Sequence, residues 1–515
     1  VSPLRFGTAG LRGPLRDGPD GMNVETVERA TAGLAAWLQG RCLGGGTVVV
    51  GRDARHGSAE FATATAEVFA AAGFAVHLLP EPLPTPVTAF AVRALGAVAG
   101  VQITASHNPR GDNGYKVYLD GGAQLVAPAD AEIEAAITAA APPARRPVTP
   151  AGDEIWHSYV ERAATLPRGS ARELRIVLTA LHGVGTTTAL AVLAAAGFTD
   201  VHIVAAQSNP DPDFPTVPFP NPEEPGACDL LLAEAAAVDA DLAIALDPDA
   251  DRCAVGVPAS GGWRMLRGDE TGVLLAEHVL ACTGPDPLVA TTIVSSRLLG
   301  KLAAARGARY AETLTGFKWL VRAGSGLVYA YEEAIGHCVD PAAVRDKDGI
   351  TAALLAADLA ATLKDRGRTL LDVLDGYADE FGPHVGDQVS LRRDDAAAVL
   401  ARLRAEPPPT LVGEPVTITD YATRRGPLRT DALALATEHT RVVVRPSGTE
   451  PKLKFYLEAF GADAAERVSA VREWVDRLSA LSRPELPVTG VAQAGHDEGG
   501  VVEPFVDHAD HQPDR

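Results

Sequence analysis

The chain has 515 residues, 46% hydrophobic and 22% charged, with 50 Gly and 38 Pro. At roughly 100–200 residues per domain this is about three or four domains rather than one core, and the composition excludes collagen, coiled coil and wholesale disorder. A net charge of −20 and the lack of any Lys/Arg run longer than pairs such as Arg145-Arg146 argue against nucleic acid as a partner. The first residues, Val1 to Gly7, carry no apolar signal region, and no uncharged apolar run reaches the ~18 residues of a membrane span. Five Cys, at 42, 228, 253, 282 and 338, lack zinc or disulfide spacing. A cytoplasmic protein without membrane contact is expected, monomer or dimer.

In chain order, one pattern occurs three times: an apolar β-rich run, a polar turn and an amphipathic helix. Thr47–Val50 leads into Gly51-Arg52-Asp53 and a helix from about Ser58 to Ala72. Leu174–Leu178 leads into His182-Gly183-Val184-Gly185 and a helix to about Ala196. Leu288–Val294 leads into Ser295-Ser296-Arg297 and a helix to about Arg306. Apolar strands alternating with helices predict sheets covered on both faces. The Pro-rich stretch Ala141–Pro147 and Thr283–Pro287 mark breaks. The expected units are 1–150, 151–284 and 285–385, all α/β, then a smaller α+β unit over 386–483 ending in a helix near Ala464–Leu481. The polar, acidic segment 484–515 is expected to be a disordered tail. Its Leu486-Pro487-Val488-Thr489-Gly490 resembles a sortase signal but lacks the apolar anchor that must follow.

Five segments carry chemistry. Phe6–Gly13 is Gly-rich around one Arg, Arg12, and alone is only a turn. Thr104-Ala105-Ser106-His107-Asn108-Pro109 leaves the apolar run Val98–Ile103, with Lys116 ten residues on. It offers either an activated hydroxyl or an Asn-Pro turn. A hydrolase elbow is absent at Ser106. After Leu242–Leu246 come Asp247, Asp249 and Asp251 at alternate positions, then Arg252. If the loop curls, these oxygens suit Mg²⁺; otherwise they form an acidic turn. An EF-hand fails, because Arg252 and Pro258 occupy its Gly and Glu positions. Thr315–Lys318, Tyr331–His337 and Arg345–Gly349 could hold a polyol through Glu333 and His337; on these residues alone a satisfied structural His is the better reading. Arg445-Pro446-Ser447-Gly448-Thr449 follows Val442–Val444 and offers a bidentate Arg and turn N–H groups to an anion; a basic surface loop is the plain alternative.

Together these segments, with Gly51-Arg52-Asp53, Arg55 and Ser58, resemble the α-D-phosphohexomutases, the phosphoglucomutase/phosphomannomutase superfamily, over about residues 5–456. The resemblance implies four domains around a central cleft: three related α/β domains with mixed sheets and a smaller C-terminal α+β domain. It implies that Ser106 carries a transferable phosphoryl group. Asp247, Asp249 and Asp251 would bind Mg²⁺ together with an oxygen of the phosphorylated Ser106. Arg12, His107 and Lys116 would assist proton transfer and charge stabilisation, with Arg252 adding charge. Glu333, His337 and Lys318 would contact the sugar, and Arg445, Ser447, Gly448 and Thr449 the non-reacting phosphate. Sugar phosphates are the implied partners, with glucose 1,6-bisphosphate as activator. The dual mannose/glucose enzymes carry Glu-x-Ser-Gly-His, whereas this chain has Glu333-Ala334-Ile335-Gly336-His337. With Thr315–Lys318 and Pro218–Pro225 this resembles more the branch with phosphoglucomutase and phosphopentomutase activities. Glucose phosphates are expected first, then mannose, then ribose 1-/5-phosphate. One rival of another class is a haloacid-dehalogenase-type phosphatase using Asp247 of Asp247-Pro248-Asp249, which leaves Ser106 and Arg445 unexplained. The other is a non-catalytic sensor, which needs neither Ser106 nor three aspartates.

Overall fold

The computed structural model describes residues 4–7, 9–392, 395–446 and 452–480. The expected tail at 484–515 lies outside them. In the first unit the strands are β1 (Leu11–Pro14), β2 (Thr47–Arg52), β3 (Ala75–Leu78), β4 (Ala99–Ile103), β5 (Asp112–Leu119) and the short β6 (Ala123–Gln124). Their order is β1-β5-β4-β2-β3, with β6 on β5. Strand parity explains the two-sided covering. Val48 and Val50 pack with Val27, Leu34 and Phe69 of two helices on one face. Val49 points the other way, into a cluster with Val87 and Phe90.

The second unit has β7 (Ile176–Thr179), β8 (Val201–Ile203), β9 (Leu242–Leu246), β10 (Cys253–Ala259) and β11 (Gly262–Met265), in the order β11-β10-β9-β7-β8. The third has β12 (Leu288–Thr292), β13 (Arg309–Thr313), β14 (Leu327–Glu332) and β15 (Gly336–Cys338), in the order β13-β12-β14-β15. The three sheets share one core topology. The second, first and third strands of each repeat lie side by side and parallel, and a fourth returns antiparallel beside the third. The repeat read from the sequence is thus a repeat of architecture.

The last unit has β16 (His384–Arg392), β17 (Thr410–Leu411), β18 (Glu414–Pro415), β19 (Thr417–Asp420), β20 (Leu433–Ala436), β21 (Thr440–Pro446) and β22 (Lys452–Phe460). Its main sheet, β16-β22-β21-β20-β19, is antiparallel throughout. One face carries the helix Ala464–Ala480, with Val471 and Val475 in its core.

The helix Gly349–Asp365 is apolar nearly all round and buried over most of its length, as a helix enclosed on every side must be. It packs against both the second and third sheets' elements and so joins them. Its one buried acid, Asp358, accepts from the backbone N–H groups of Arg168 (2.6 Å) and Gly169 and pairs with His278 at 2.8 Å. A buried carboxylate is tolerable only when satisfied in this way. No helix among the described residues is long and apolar enough to cross a membrane.

Candidate active site

Each α/β unit contributes the same loop, the reversal from its third strand to its antiparallel fourth. These are β4–β5 with Ser106, β9–β10 with Asp247 to Arg252, and β14–β15 with Glu333 to Ile335. Ligands of doubly wound sheets gather outside the carboxyl ends of the parallel strands, where the strand order reverses. Each loop contains one non-glycine residue in the left-handed region: Ser106 (φ 54°), Ala250 (φ 54°) and Ile335 (φ 52°). That conformation is uncommon outside Gly and Asn, and its recurrence marks loops held by their surroundings. The second and third loops are bonded directly: Cys253 N–H donates to Ile335 O (3.0 Å), and Arg252 bridges to Gly336.

Ser106 is 3% exposed. Its Oγ donates to Asp247 Oδ2 at 3.1 Å and lies 3.1 Å from Nδ1 of His107. Burial holds the His107 pKa well below its usual value, and Arg252 and Arg12 push the same way. Arg55 fixes the loop by donating to the carbonyls of Ser106 (2.6 Å), Asn108 (2.7 Å) and Pro109 (3.0 Å). Asp53 orients Arg55 from 3.3 Å. Arg12 reaches the same loop through Asn108 Oδ1 at 3.2 Å.

Asp247, Asp249 and Asp251 are all fully buried, with one carboxylate oxygen of each within 4.8 Å of the others. The loop curls as the alternate spacing allows. Lys116 donates to Asp251 Oδ2 (2.9 Å) and Asp249 Oδ2 (3.3 Å), and Lys347 lies 3.2 Å from Asp251 Oδ2. Thr85 donates to Asp249 Oδ2 at 2.6 Å. Burial alone would lower the pKa of Lys116, but Asp251 and Asp249 reverse that and raise it. Asp247 fares differently: burial and the charges of Asp249 and Asp251 raise its pKa far above the carboxylate range. Asp249 Oδ1 and Asp251 Oδ1 have no hydrogen-bond partner. Two orphaned buried oxygens in an all-oxygen donor set fit a hard divalent cation.

The recognition side is more open. Glu333 accepts from Ser295 Oγ (3.1 Å) and Thr292 Oγ1 (3.2 Å), and burial, then Asp269, raises its pKa. Arg252 donates to Ala334 O at 3.2 Å and lies 3.9 Å from carboxylate oxygens of both Asp247 and Asp251. It therefore ties the aspartates to the third loop. Arg445 stands on β21 opposite Lys454 of β22. Lys318 senses the charges of Asp130, Arg445 and Glu332, and burial lowers its pKa. Ser447, Gly448 and Thr449 lie outside the described residues.

His337 is not brought to this group. It is completely buried, with Nδ1 3.0 Å from the Tyr329 hydroxyl and its ring stacked on Tyr329. Burial lowers its pKa to about 3. Its register on β15 pairs it with Tyr331 in the aromatic interior, the setting of a structural His, while its Nε2 has no hydrogen-bond partner. Two residues given no role from sequence do join the site. Glu332 is buried at the end of β14, its pKa raised by burial and eased by Lys347 and Arg252. Lys347 comes from Arg345–Gly349, a segment singled out without an assignment. Its neighbour Asp346 accepts from Tyr118 (2.7 Å) and Gln124 (2.8 Å) of the first unit. An acid closing an apolar strand and a Lys between two Asp were the available signals.

Fold and site together define an enzyme of phosphoryl transfer: a buried serine hydroxyl against an aspartate cluster, facing a separate cationic edge. Comparison with known proteins gives the family. Phosphoglucomutase/phosphomannomutase alpha/beta/alpha domains I, II and III match residues 3–143, 157–261 and 267–381, and the C-terminal domain matches 389–472. A "Probable phosphomannomutase" of Haemophilus influenzae is 43% identical over 87% of this chain and 96% of that protein. The "Phosphoribomutase" of Saccharomyces cerevisiae is 34% identical, covering 89% and 86%, and the "Phosphoglucomutase" of Staphylococcus haemolyticus is 32% identical, covering 90% and 92%. The crystal structure of a phosphoglucomutase/phosphomannomutase family protein from Burkholderia thailandensis shares the fold, with TM-score 0.73, 23% identity and coverage of 93% and 98%. The chain belongs to the phosphoglucomutase/phosphomannomutase family of the α-D-phosphohexomutase superfamily. It is a phosphosugar mutase, an isomerase that acts as an intramolecular phosphotransferase. The phosphatase and sensor alternatives are overturned by the match of all four domains.

Proposed function

We propose that the chain interconverts the 1-phosphate and 6-phosphate of a hexose, glucose first and mannose next, through a phosphorylated Ser106 and a bisphosphorylated sugar. The observation that carries this is Ser106 Oγ, buried and 3.1 Å from Asp247, within a cluster bearing two lysines. Phosphoryl transfer depends chiefly on positioning and charge neutralisation. Asp247, Asp249 and Asp251 would hold Mg²⁺, which when bound supplies positive charge to the phosphoryl oxygens.

The chain's own groups do the rest. Arg55 pins the Ser106 backbone. Lys116, Lys347 and Arg252 place cationic charge around the serine. When a sugar hydroxyl takes the phosphoryl group, the bond from phosphorus to Ser106 Oγ breaks, and the proton the hydroxyl gives up is balanced by one taken up on Ser106 Oγ. The intermediate turns end for end. In the return step Ser106 Oγ attacks the other phosphate, the bond from that phosphorus to the sugar oxygen breaks, and His107 at 3.1 Å is placed to take the serine proton, an equivalent of which ends on the freed sugar oxygen. Glu332, Glu333 and Lys318 address the sugar. Arg445, with Ser447, Gly448 and Thr449, holds the phosphate that is not reacting, and so presents either end at one distance from Ser106. Glucose 1,6-bisphosphate would act as activator by charging Ser106. The five cysteines are unpaired, in keeping with the cytosol.

A second reading is conversion of ribose 1- and 5-phosphates. It is favoured by the yeast relative's name and by mouse "Phosphopentomutase", 32% identical over 88% of this chain. Parallel coupled assays with glucose, mannose and ribose 1-phosphates test both. Turnover of ribose 1-phosphate alone would overturn the hexose assignment. Intact mass after glucose 1,6-bisphosphate treatment should show one added phosphate, at Ser106.

A further inference from the structure

The C-terminal sheet meets the third unit through one face, and parity orders that face. On β21, Val442 and Val444 enter the sheet's own core, so Arg441, Val443 and Arg445 point the other way. On β22 the partners of these three are Glu458, Tyr456 and Lys454. The face therefore reads, from one end to the other, an ion pair, an apolar pair and a cationic pair. The apolar pair packs on Ile293 and Val294 of the third unit. The cationic pair, Arg445 and Lys454, is the edge proposed to hold phosphate.

The ion-pair end is docked by directional bonds. Glu458 Oε1 accepts from Ser296 Oγ (2.6 Å) and Arg297 N–H (2.9 Å), at the start of the helix Leu298–Ala305. Arg441 donates to the carbonyls of Ser295 (3.3 Å) and Ile293. Ser295 is also the residue whose hydroxyl holds Glu333 at 3.1 Å. One short segment, 295–297, thus grips the C-terminal sheet on one side and the sugar-loop carboxylate on the other. Packing alone does not fix this joint. A cavity of about 660 Å³ opens beside it, lined by Glu458, Arg441, Asp269, Tyr377 and Glu333.

We propose that Glu458 and Arg441 are positioning residues: they set the separation between the sugar-reading Glu333 and the phosphate-reading Arg445, and this separation discriminates between sugars of different length. Arg441 and Arg445 are four residues apart on one strand, a rigid span of about 14 Å. A pin at one end therefore fixes the reading position at the other. A pentose phosphate is one carbon shorter than a hexose phosphate between its anchored ends, so a fixed span favours one of them. The inference rests on the mutase reading above.

Saturation kinetics of the full chain with glucose 1-phosphate and ribose 1-phosphate test it, alongside thermal melting. Glu458→Ala should raise KM for the preferred sugar about tenfold, as loss of charge-assisted hydrogen bonds implies, with a smaller fall in kcat. The ratio of kcat/KM between the two sugars should move toward one. Glu458→Gln keeps an acceptor for Ser296 and Arg297 and should restore most of both, which a general loss of stability would not do. Unchanged KM and an unchanged ratio in a folded Glu458→Ala would overturn the inference. If that variant does not fold, Ser296→Ala removes a single hydroxyl and should shift KM and the ratio in the same direction; no shift overturns the inference there. Wild type that turns over none of glucose, mannose and ribose 1-phosphates overturns the mutase reading itself, and the inference falls with it.

Discussion

The two ends of the site are built differently. At the chemical end, Ser106, the three aspartates, Lys116 and Lys347 are all nearly or fully buried, and the two lysines are engaged by carboxylates. At the recognition end, Glu333, Lys318, Lys454 and Arg445 are only partly buried and belong to two separate units, Glu333 and Lys318 to the third α/β unit and Lys454 and Arg445 to the C-terminal sheet. The first is assembled from equivalent hairpins of two repeats, closed by a loop of the third. It is pre-organised, and its charges act where water is scarce. The second joins an α/β unit to an antiparallel sheet that shares no topology with it. Changes at the first should therefore appear in kcat, and also in stability where they leave a buried charge unpaired. Changes at the second should appear mainly in KM.

The largest effect is expected at Ser106. Ser106→Ala should abolish mutase turnover and the added phosphate seen by mass. Its melting temperature should stay near wild type, since it removes one small hydroxyl and surrounding bonds persist; a change beyond about 1 kcal/mol is not expected. Full activity in this variant would dissolve the chemical end as described.

Next comes the aspartate cluster. Chelation should stop turnover and Mg²⁺ should restore it; undiminished activity in excess EDTA would remove the metal from the account. Lys116→Met leaves Asp249 and Asp251 without their shared ammonium. Breaking a buried pair in this way costs about 3–5 kcal/mol, read as a lower urea midpoint without Mg²⁺. Saturating Mg²⁺ should recover part of that loss, because a cation that binds the folded chain alone stabilises it.

At the recognition end, Arg445→Ala should lower kcat/KM roughly tenfold to a hundredfold, the value of a bidentate charge-assisted bond of about 1.5–3 kcal/mol. Most of it should lie in KM. Arg445→Lys should recover only part, lacking the planar fork. Near-wild-type kinetics in Arg445→Ala would end the division of labour between the two ends.

What could be read before folding follows the same division. The chemical end was legible because its parts are contiguous: an apolar strand, then Ser106, and another, then Asp247 to Asp251. The three repeats were legible as runs of Val and Ile followed by polar turns. Lys347, Glu332 and the grip of Glu458 on Ser296 were not, because each depends on how one sheet is laid against another. Nothing local to Glu458 distinguishes it from a surface acid. The two readings of His337, sugar contact and structural His, part for a related reason. Four residues from Glu333 seemed close, but β15 begins at Gly336, and its pairing turns the His337 ring toward Tyr329 and Tyr331.

The smallest effect, and the one that separates the two readings of His337, concerns pH. Burial lowers the His337 pKa to about 3 in the folded chain, against about 6.5 when unfolded. Between these values the unfolded chain binds a proton that the folded chain refuses. His337 therefore contributes stability that is fully present above about pH 6.5 and is lost as the pH falls toward 3, by at most about 1.4 kcal/mol per pH unit. Lowering the pH from 6.5 to 5 should cost wild type about 1–2 kcal/mol more than His337→Gln, measured as the change in urea midpoint for each. The variant starts lower, having lost the stack on Tyr329 and the bond to its hydroxyl. At neutral pH its KM for sugar phosphates should stay close to wild type, because the side chain supports the loop from inside and touches no substrate. A large rise in KM with no change in acid sensitivity would instead return His337 to the recognition end.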